Sequence, residues 1–207
     1  MYTPDLFRVE DPQQARSLLR AAGFGHLVTA GPDEITSTPL PFLIDDQLST
    51  LRGHFARANP HWRAINGEDA LFIVSSCDAY VSPNWYRSKE TTAEVVPTWN
   101  YETVHVRGTI TIHHDPTWLL QVVSDLTDHH ETQLAGGGDT AWSVDDAPEE
   151  FMAKMLQGIV GFAMQVTEVQ AKRKLSQNRP EPDRAAVREA LRAASTPRDN
   201  AVGQVMD

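Results

Sequence analysis

The chain has 207 residues, 41% hydrophobic and 22% charged, which is enough apolar material for a sizeable core and unlike a disordered or collagen-like composition. Its 28 acidic against 18 basic residues give a net charge of −10, and the resulting average field repels phosphate backbones and anionic lipid, arguing against nonspecific nucleic-acid binding. The lone cysteine, Cys77, lies next to an apolar run; it excludes an internal disulfide and reads as a small buried thiol.

The first residues, Met1-Tyr2-Thr3-Pro4, carry no basic segment followed by an apolar stretch, and no run approaches the roughly eighteen apolar residues of a membrane span. The expectation is a soluble, cytoplasmic protein without a membrane segment. Asp11-Pro12 supplies an N-cap and an N1 proline, and Ala15, Leu18, Leu19 and Ala22 recur at helical spacing, predicting a helix over 12–22 that Gly23 ends. Residues 26–30, 34–44 and 48–55 are rich in β-branched and apolar side chains. They are separated by Gly31-Pro32-Asp33 and Asp45-Asp46-Gln47, which predicts a three-stranded meander. Pro39 and Pro41 lack backbone donors, which marks the second of these strands as an edge strand or a bulged one.

Asn59-Pro60 opens a short helix, residues 70–81 form a long apolar strand, and residues 82–97 form a polar loop. Residues 98–114 alternate: Val104, Val106, Ile110 and Ile112 share one face with Gly108 in register, and His105, Arg107, Thr109 and Thr111 share the other. Asp115-Pro116 caps a helix with Trp118, Leu119, Val122, Val123 and Leu126 on one stripe, and Gly136-Gly137-Gly138 lies in the loop beyond it. A helix over 149–157, a strand over 159–169 and a helix over 183–194 follow, and residues 195–207 read as a frayed tail. Strands with helices inserted between them, rather than a regular βαβ alternation, favour a mixed barrel over a doubly wound sheet. The expected organisation is one mostly β domain with inserted helices over 1–194, then a flexible tail over 195–207.

There is no Gly-rich dinucleotide fingerprint, Walker-type loop, nucleophile elbow or paired-cysteine zinc site in the sequence. The adjacent pairs His113-His114 and His129-His130 diverge on a strand or helix, so no metal site is expected. Three segments carry more chemistry. In residues 53–62 (GHFARANPHW) a strand ends near His54, a turn presents Arg57, and Asn59-Pro60 starts a helix, so donors and a cation converge on an anion-sized spot. The same residues equally make a plain strand-to-helix connection with Asn59 as cap and Trp62 as core. Residues 80–86 (YVSPNWY), followed by Lys89, and residues 96–101 (VPTWNY) bring aromatics and amides together. They suit either a flat heteroaromatic ligand or a packed flap or subunit contact. Residues 172–180 (KRKLSQNRP) lie in a basic island, with net charge +4 over 172–192 against −13 over 1–171, which on its own reads as a solvated strand end.

Taken together, the pattern GHFARANP.W, YVSP.WY, K, VPTWNY..VHV.G and K.KLSQNR resembles the FMN-binding negative transcriptional regulator family, the PaiB-like proteins, from Met1-Tyr2 to about Leu191. The resemblance implies an FMN-binding split β-barrel of the flavin-reductase and pyridoxamine-phosphate-oxidase kind, assembled as a homodimer with FMN at the subunit interface. It makes Thr36, Ser37, Thr38, His54, Arg57 and Asn59 candidates for facing the flavin and its phosphate. Lys89, Thr98, Trp99, Asn100, Lys174, Ser176, Gln177 and Arg179 are the candidates from the later segments. His54, Arg57, Lys174 and Arg179 are the cations such a phosphate needs in an acidic protein, and no residue stands out as a catalytic acid or base. The expected function is that of an FMN-binding regulator acting as a redox or ligand sensor. The alternative is an FMN-dependent oxidoreductase of the flavin-reductase or oxidase type acting on a small molecule. Direct DNA binding is doubtful, because no helix-turn-helix is evident and the basic residues coincide with those the resemblance gives to the flavin.

Overall fold

A computed structural model describes residues 1–32, 34–135 and 141–207. Asp33 of the first expected turn and Gly136-Gly137-Gly138 lie outside the described residues. In chain order the elements are β1 (Arg8–Val9), α1 (Pro12–Ala22), β2 (Phe24–Ala30), β3 (Ile35–Ile44), β4 (Thr50–Ala56), β5 (Asp69–Val81), β6 (Thr98–His113), α2 (Pro116–Ala135), α3 (Glu149–Gln157), β7 (Ile159–Lys174), α4 (Glu181–Arg192) and α5 (Pro197–Gln204). Short 3-10 turns occupy Pro60–Ala64, Pro83–Trp85 and Arg87–Glu90. The strand order is β1-β7-β4-β3-β2-β5-β6, and β6 also pairs with β7, so six strands return on themselves as in a barrel. The described residues form two compact units, one of residues 19–74 and 105–169, the other of residues 1–18, 75–104 and 170–207.

The first of these units holds the β2-β3-β4 meander that the turn formers predict, with β2 against β3 from Phe24↔Pro41 to Ala30↔Ile35. Inward side chains fill its core: Phe42 lies 4.8 Å from Phe72 and Phe55 lies 5.3 Å from Phe162, ring centre to ring centre. Each such buried ring contributes about 1.5–3 kcal/mol relative to an exposed one. β3 lies between β2 and β4, but its β4 pairing is confined to residues 42–44, so the expected edge character holds locally at Pro39 and Pro41 and not for the whole strand. The reason is directional. Phe42 donates its N–H to Gly23 O on the β2 side, so the alternate positions 39 and 41 face away from β2, and β4 pairs only with residues 42–44. The two missing donors therefore fall where no ladder bond is required. Gly108 has a structural explanation of its own: a Cβ there would lie 2.2 Å from the backbone oxygen of Gln165 on β7.

In the second unit β1 pairs with the end of β7 (Arg8↔Lys172, Val9↔Ala171), which runs five residues beyond the expected strand end at 169. Its core is built from Ala79, Val81, Tyr86, Leu175, Val187, Leu191, Val202 and Met206. The last two overturn the expectation of a frayed tail over 195–207. Thr196 caps α5 by accepting from Asp199 N–H, Pro197 takes the first helical position, and Val202 and Met206, one turn apart, are fully buried.

Candidate functional site

The unit of residues 19–74 and 105–169 contains six of the expected site residues, and their alternation on β3 and β4 sends them in different directions. Ser37 is exposed, with its hydroxyl 3.4 Å from His26 Nδ1, and Thr36 donates to Glu34 Oε1 at 3.2 Å. Thr38 turns inward, into a polar chain that the sequence reading missed. The His61 backbone N–H donates to Asn59 Oδ1 (3.0 Å), which aims the Asn59 amide nitrogen at Thr38 Oγ1 (3.2 Å). His61 bridges two hydroxyls, with Nδ1 2.8 Å from Thr38 Oγ1 and Nε2 2.7 Å from Thr29 Oγ1. Burial holds the His61 pKa below its ordinary value although the Glu34 charge pulls it up, which favours a neutral imidazole between the two hydroxyls. Asn59 and Thr38 are thus committed to an internal network.

Arg57 is similarly committed. Its Nε donates to Gln157 O (2.6 Å) and its Nη2 to Ile159 O (2.7 Å), so the guanidinium caps the C-terminus of α3 and the start of β7, where a cation is favoured by the helix dipole. Trp62 Nε1 donates to Arg57 O at 3.1 Å. Of the two readings of residues 53–62, these contacts match the strand-to-helix connection. His54 shares a face of β4 with Arg52, whose guanidinium meets Asp125 of α2 at 2.9 Å. It sits opposite Gly161, where a Cβ would be 2.1 Å from the Trp118 ring. Beneath α2 its Nδ1 is buried with no hydrogen-bond partner among the described residues, and burial lowers its pKa.

The other eight expected residues lie in the unit of residues 1–18, 75–104 and 170–207, and they also divide. Asn100 is fully buried, its amide bonded to the Ser176 hydroxyl (3.0 and 3.1 Å) and donating to Met206 Sδ at 3.6 Å. Ser176 is itself buried at φ 63°, in the left-handed region. Gln177 braces the same turn, donating to Arg173 O and accepting from Leu175 N–H, both at 2.6 Å. Asn100, Ser176 and Gln177, which the resemblance makes candidates for the flavin, are therefore bonded within their own unit.

Lys174, Thr98, Trp99 and Arg179 make a different kind of place. Lys174 Nζ donates to Thr98 Oγ1 (2.6 Å) and to Trp99 O (2.5 Å), joining a cation to the base of a ring that is 49% exposed. Tyr80 meets Trp99 edge-on at 6.1 Å, and Arg198 lies 5.9 Å over the Trp99 ring. Arg179 stacks on Tyr86 at 4.5 Å, and Lys89 donates to Asn84 Oδ1 at 2.5 Å on the exposed loop. Two residues before Lys174 and on the same strand face, Lys172 is 6% exposed. It sits 5.1 Å from the Tyr101 ring, 5.7 Å from Tyr2 and 6.0 Å from Phe7, with Nζ bonded to Tyr2 O at 3.2 Å. Lys172 was missed because the strand was expected to end at 169; its period-two spacing with Lys174 was the available signal.

The two faces of this strand end differ in charge chemistry. Arg173, on the opposite face, pairs at 2.5 Å with Glu102, which is 3% exposed and also accepts from Ser76 (2.9 Å) and Cys77 (3.6 Å). Burial, and then the Glu102 charge, push the Cys77 thiol up to about 11, so it is an unreactive half-buried thiol. Among the described residues no carboxylate pairs with Lys172, Lys174 or Arg179. Burial, and then the Lys172 and Arg179 charges, lower the Lys174 pKa. Arg179 feels the charge of Asp183, whereas the two lysines have no ion-pair partner among the described residues, and aromatic rings beside such cations are chemically matched to a planar ligand carrying an anion.

A six-stranded ring with helices inserted between its strands is the architecture of the flavin-binding split barrels. The chain belongs to the family described as "Putative FMN-binding domain", which matches residues 1–168. It is similar to the protease synthase and sporulation protein PAI 2 of Bacillus subtilis (strain 168), with 32% identity over 210 residues covering 100% of this chain and 97% of that protein. An Aspergillus fumigatus protein is 30% identical over 203 residues, 78% of each chain. Two solved structures share the fold. The flavocytochrome Anf3 from Azotobacter vinelandii has a TM-score of 0.60 at 14% identity, covering 86% of this chain and 75% of that one. The FAD and heme binding protein from Mycobacterium smegmatis has a TM-score of 0.61 at 17% identity, covering 86% and 79%. The family's cofactor is FMN or a related flavin, which the aromatic and cationic face suits. Among the described residues no helix is long and apolar enough to cross a membrane.

Proposed function

We propose that the protein binds one noncovalent FMN per subunit, with its phosphate at Lys174 and Arg179 and its ring system against Trp99 and Tyr80. One observation carries this reading: the Trp99, Tyr101, Lys172 and Lys174 face combines exposed aromatic surface with cations that no described carboxylate neutralises. The flavin supplies reversible electron transfer; the chain's own residues supply charge and a stacking surface. Tyr2, Leu6, Tyr80, Val96 and Trp99 leave apolar surface uncovered in the same unit, which fits closure of the site by a second subunit in a homodimer. The role we assign is that of a redox or ligand sensor in a regulatory protein rather than a high-turnover reductase or oxidase, since the cations on this face are placed to hold an anion.

The test is a titration of the apo protein with FMN and with riboflavin, followed by flavin fluorescence, together with NAD(P)H oxidation by the loaded protein. Micromolar or tighter FMN binding, weaker riboflavin binding and slow NAD(P)H turnover are expected. Absence of quenching overturns the flavin reading, and rapid turnover replaces the sensor with an oxidoreductase.

A further inference from the structure

Helix α2 is held at both ends by imidazoles. At its start the Trp118 ring lies flat on His113 at the end of β6, with centres 4.0 Å apart and an interplanar angle of 6°. Trp118 also covers Gly161, across the β4–β7 ladder from His54, whose buried Nδ1 has no described partner. At its end His130 packs on Gly23, where a Cβ would be 2.7 Å from the ring, and His129 Nε2 lies 3.2 Å from Arg20 O. Between these points Leu119, Val122 and Leu126 are buried.

Around His54 and His130 the charged groups offer little to an imidazolium, whereas the indole face stacked on His113 attracts one. Near the helix start Arg52 and Asp125 already form an ion pair, His114 is a neighbour of like kind, and Asp115 is the one carboxylate favouring a charged His113. Near the helix end Arg20 is paired with Asp46, Glu131 accepts from Trp142 N–H, and His129 disfavours charge on His130. Burial lowers the pKa of His54, His113 and His130 alike.

We infer that α2 is an acid-sensitive element, docked on the uncharged rings of His54 and His130 at neutral pH and released from its sheet as those two rings take up protons. The sign follows from linkage. A histidine whose folded-state pKa is depressed stabilises the docked form above its unfolded value near 6.5, and that stabilisation is lost as the pH falls below it. Each such ring contributes at most about tenfold to the opening equilibrium between pH 7.5 and 5.5. Release exposes the apolar stripe of Leu119, Val122 and Leu126, giving the protein a pH-dependent surface that is independent of any flavin.

Hydrogen exchange of the full-length protein, corrected for intrinsic rates and compared at pH 7.5 and 5.5, reads this out element by element. The expected result is that α2 amides open several-fold more at pH 5.5, with α4 unchanged, and that the double variant His54→Gln, His130→Gln flattens the α2 response. If the double variant does not fold, His54→Gln alone should remove part of the response. Equal acceleration of α2 and α4, or an α2 response that survives these substitutions, overturns the inference.

Discussion

Arg57 and Lys174 are both cations set among backbone carbonyls, and what separates them is the rest of their surroundings. The guanidinium of Arg57 is consumed by Gln157 O and Ile159 O at a helix end, whereas Lys174 keeps a third ammonium donor beside an exposed ring and two further cations. Lys174→Met should therefore raise the FMN dissociation constant by about 10- to 150-fold, the loss of a charged hydrogen bond of about 1.5–3 kcal/mol, while leaving riboflavin nearly unaffected. Arg57→Met should leave the FMN-to-riboflavin ratio unchanged and lower unfolding stability by about 1–3 kcal/mol, because two carbonyls lose their donor. Paired flavin titrations and urea denaturation of both variants check the contrast. At this scale the sequence was a partial guide. Residue type and motif marked Lys174, Trp99 and Arg179, but the same motifs held Thr38, Asn59, Asn100, Ser176 and Gln177, whose side chains are bonded internally. A motif records which polar residues occur together and does not record which face of a strand each one occupies; Lys172 escapes instead because the expected strand stops at 169.

Elements were easier to read than side-chain directions, because hydrophobic period and turn chemistry act locally. The α1 and α3 boundaries agree with the predicted 12–22 and 149–157, and β6 has the expected alternation, with Val104, Val106 and Ile110 buried. The rest depends on tertiary context. Strand β7 continues through charged residues because β1 pairs with its end, and β3 tolerates two prolines because their missing donors face an unpaired flank. Residues 195–207 looked polar overall, yet Thr196-Pro197 with Asp199 is a cap signature, and Val202 and Met206 are spaced to reach one core. Met206→Ala should accordingly cost about 2–5 kcal/mol, seen as a lower urea midpoint at unchanged slope. Gly108→Ala should cost at least as much as a typical overpacked core substitution, about 1–3 kcal/mol, since its Cβ would meet β7 backbone rather than a movable side chain.

For the molecule as a whole, the net charge of −10 is unevenly spread, and the basic island over residues 172–192 is the part that could meet duplex DNA. Its cations are nearly all either bonded within their own unit or, for Lys174 and Arg179, assigned to the flavin phosphate. Lys172 is enclosed by aromatic rings, Arg173 is paired with Glu102, Lys174 is bonded to Thr98 and Trp99, and Arg179 is stacked on Tyr86. On α4, Arg184 donates to Met206 O at 2.9 Å, and Arg192 donates to Gly203 O at 2.9 Å and to the Asp207 carboxylate at 2.7 Å. Specific DNA readers need a face that neutralises several phosphates together with side chains that reach base edges, and α4 presents neither. Arg184, Arg188 and Arg192, one turn apart, make a single narrow stripe of which two members are already used. The protein should therefore give no tight, sequence-selective complex with duplex DNA at physiological salt, with or without FMN, in a fluorescence anisotropy titration. Regulation would then pass through the flavin, a bound metabolite or a protein partner. A nanomolar complex with a steep salt dependence, weakened by Arg188→Ala, would instead make α4 a direct DNA contact and require its arginines to leave the bonds they hold here.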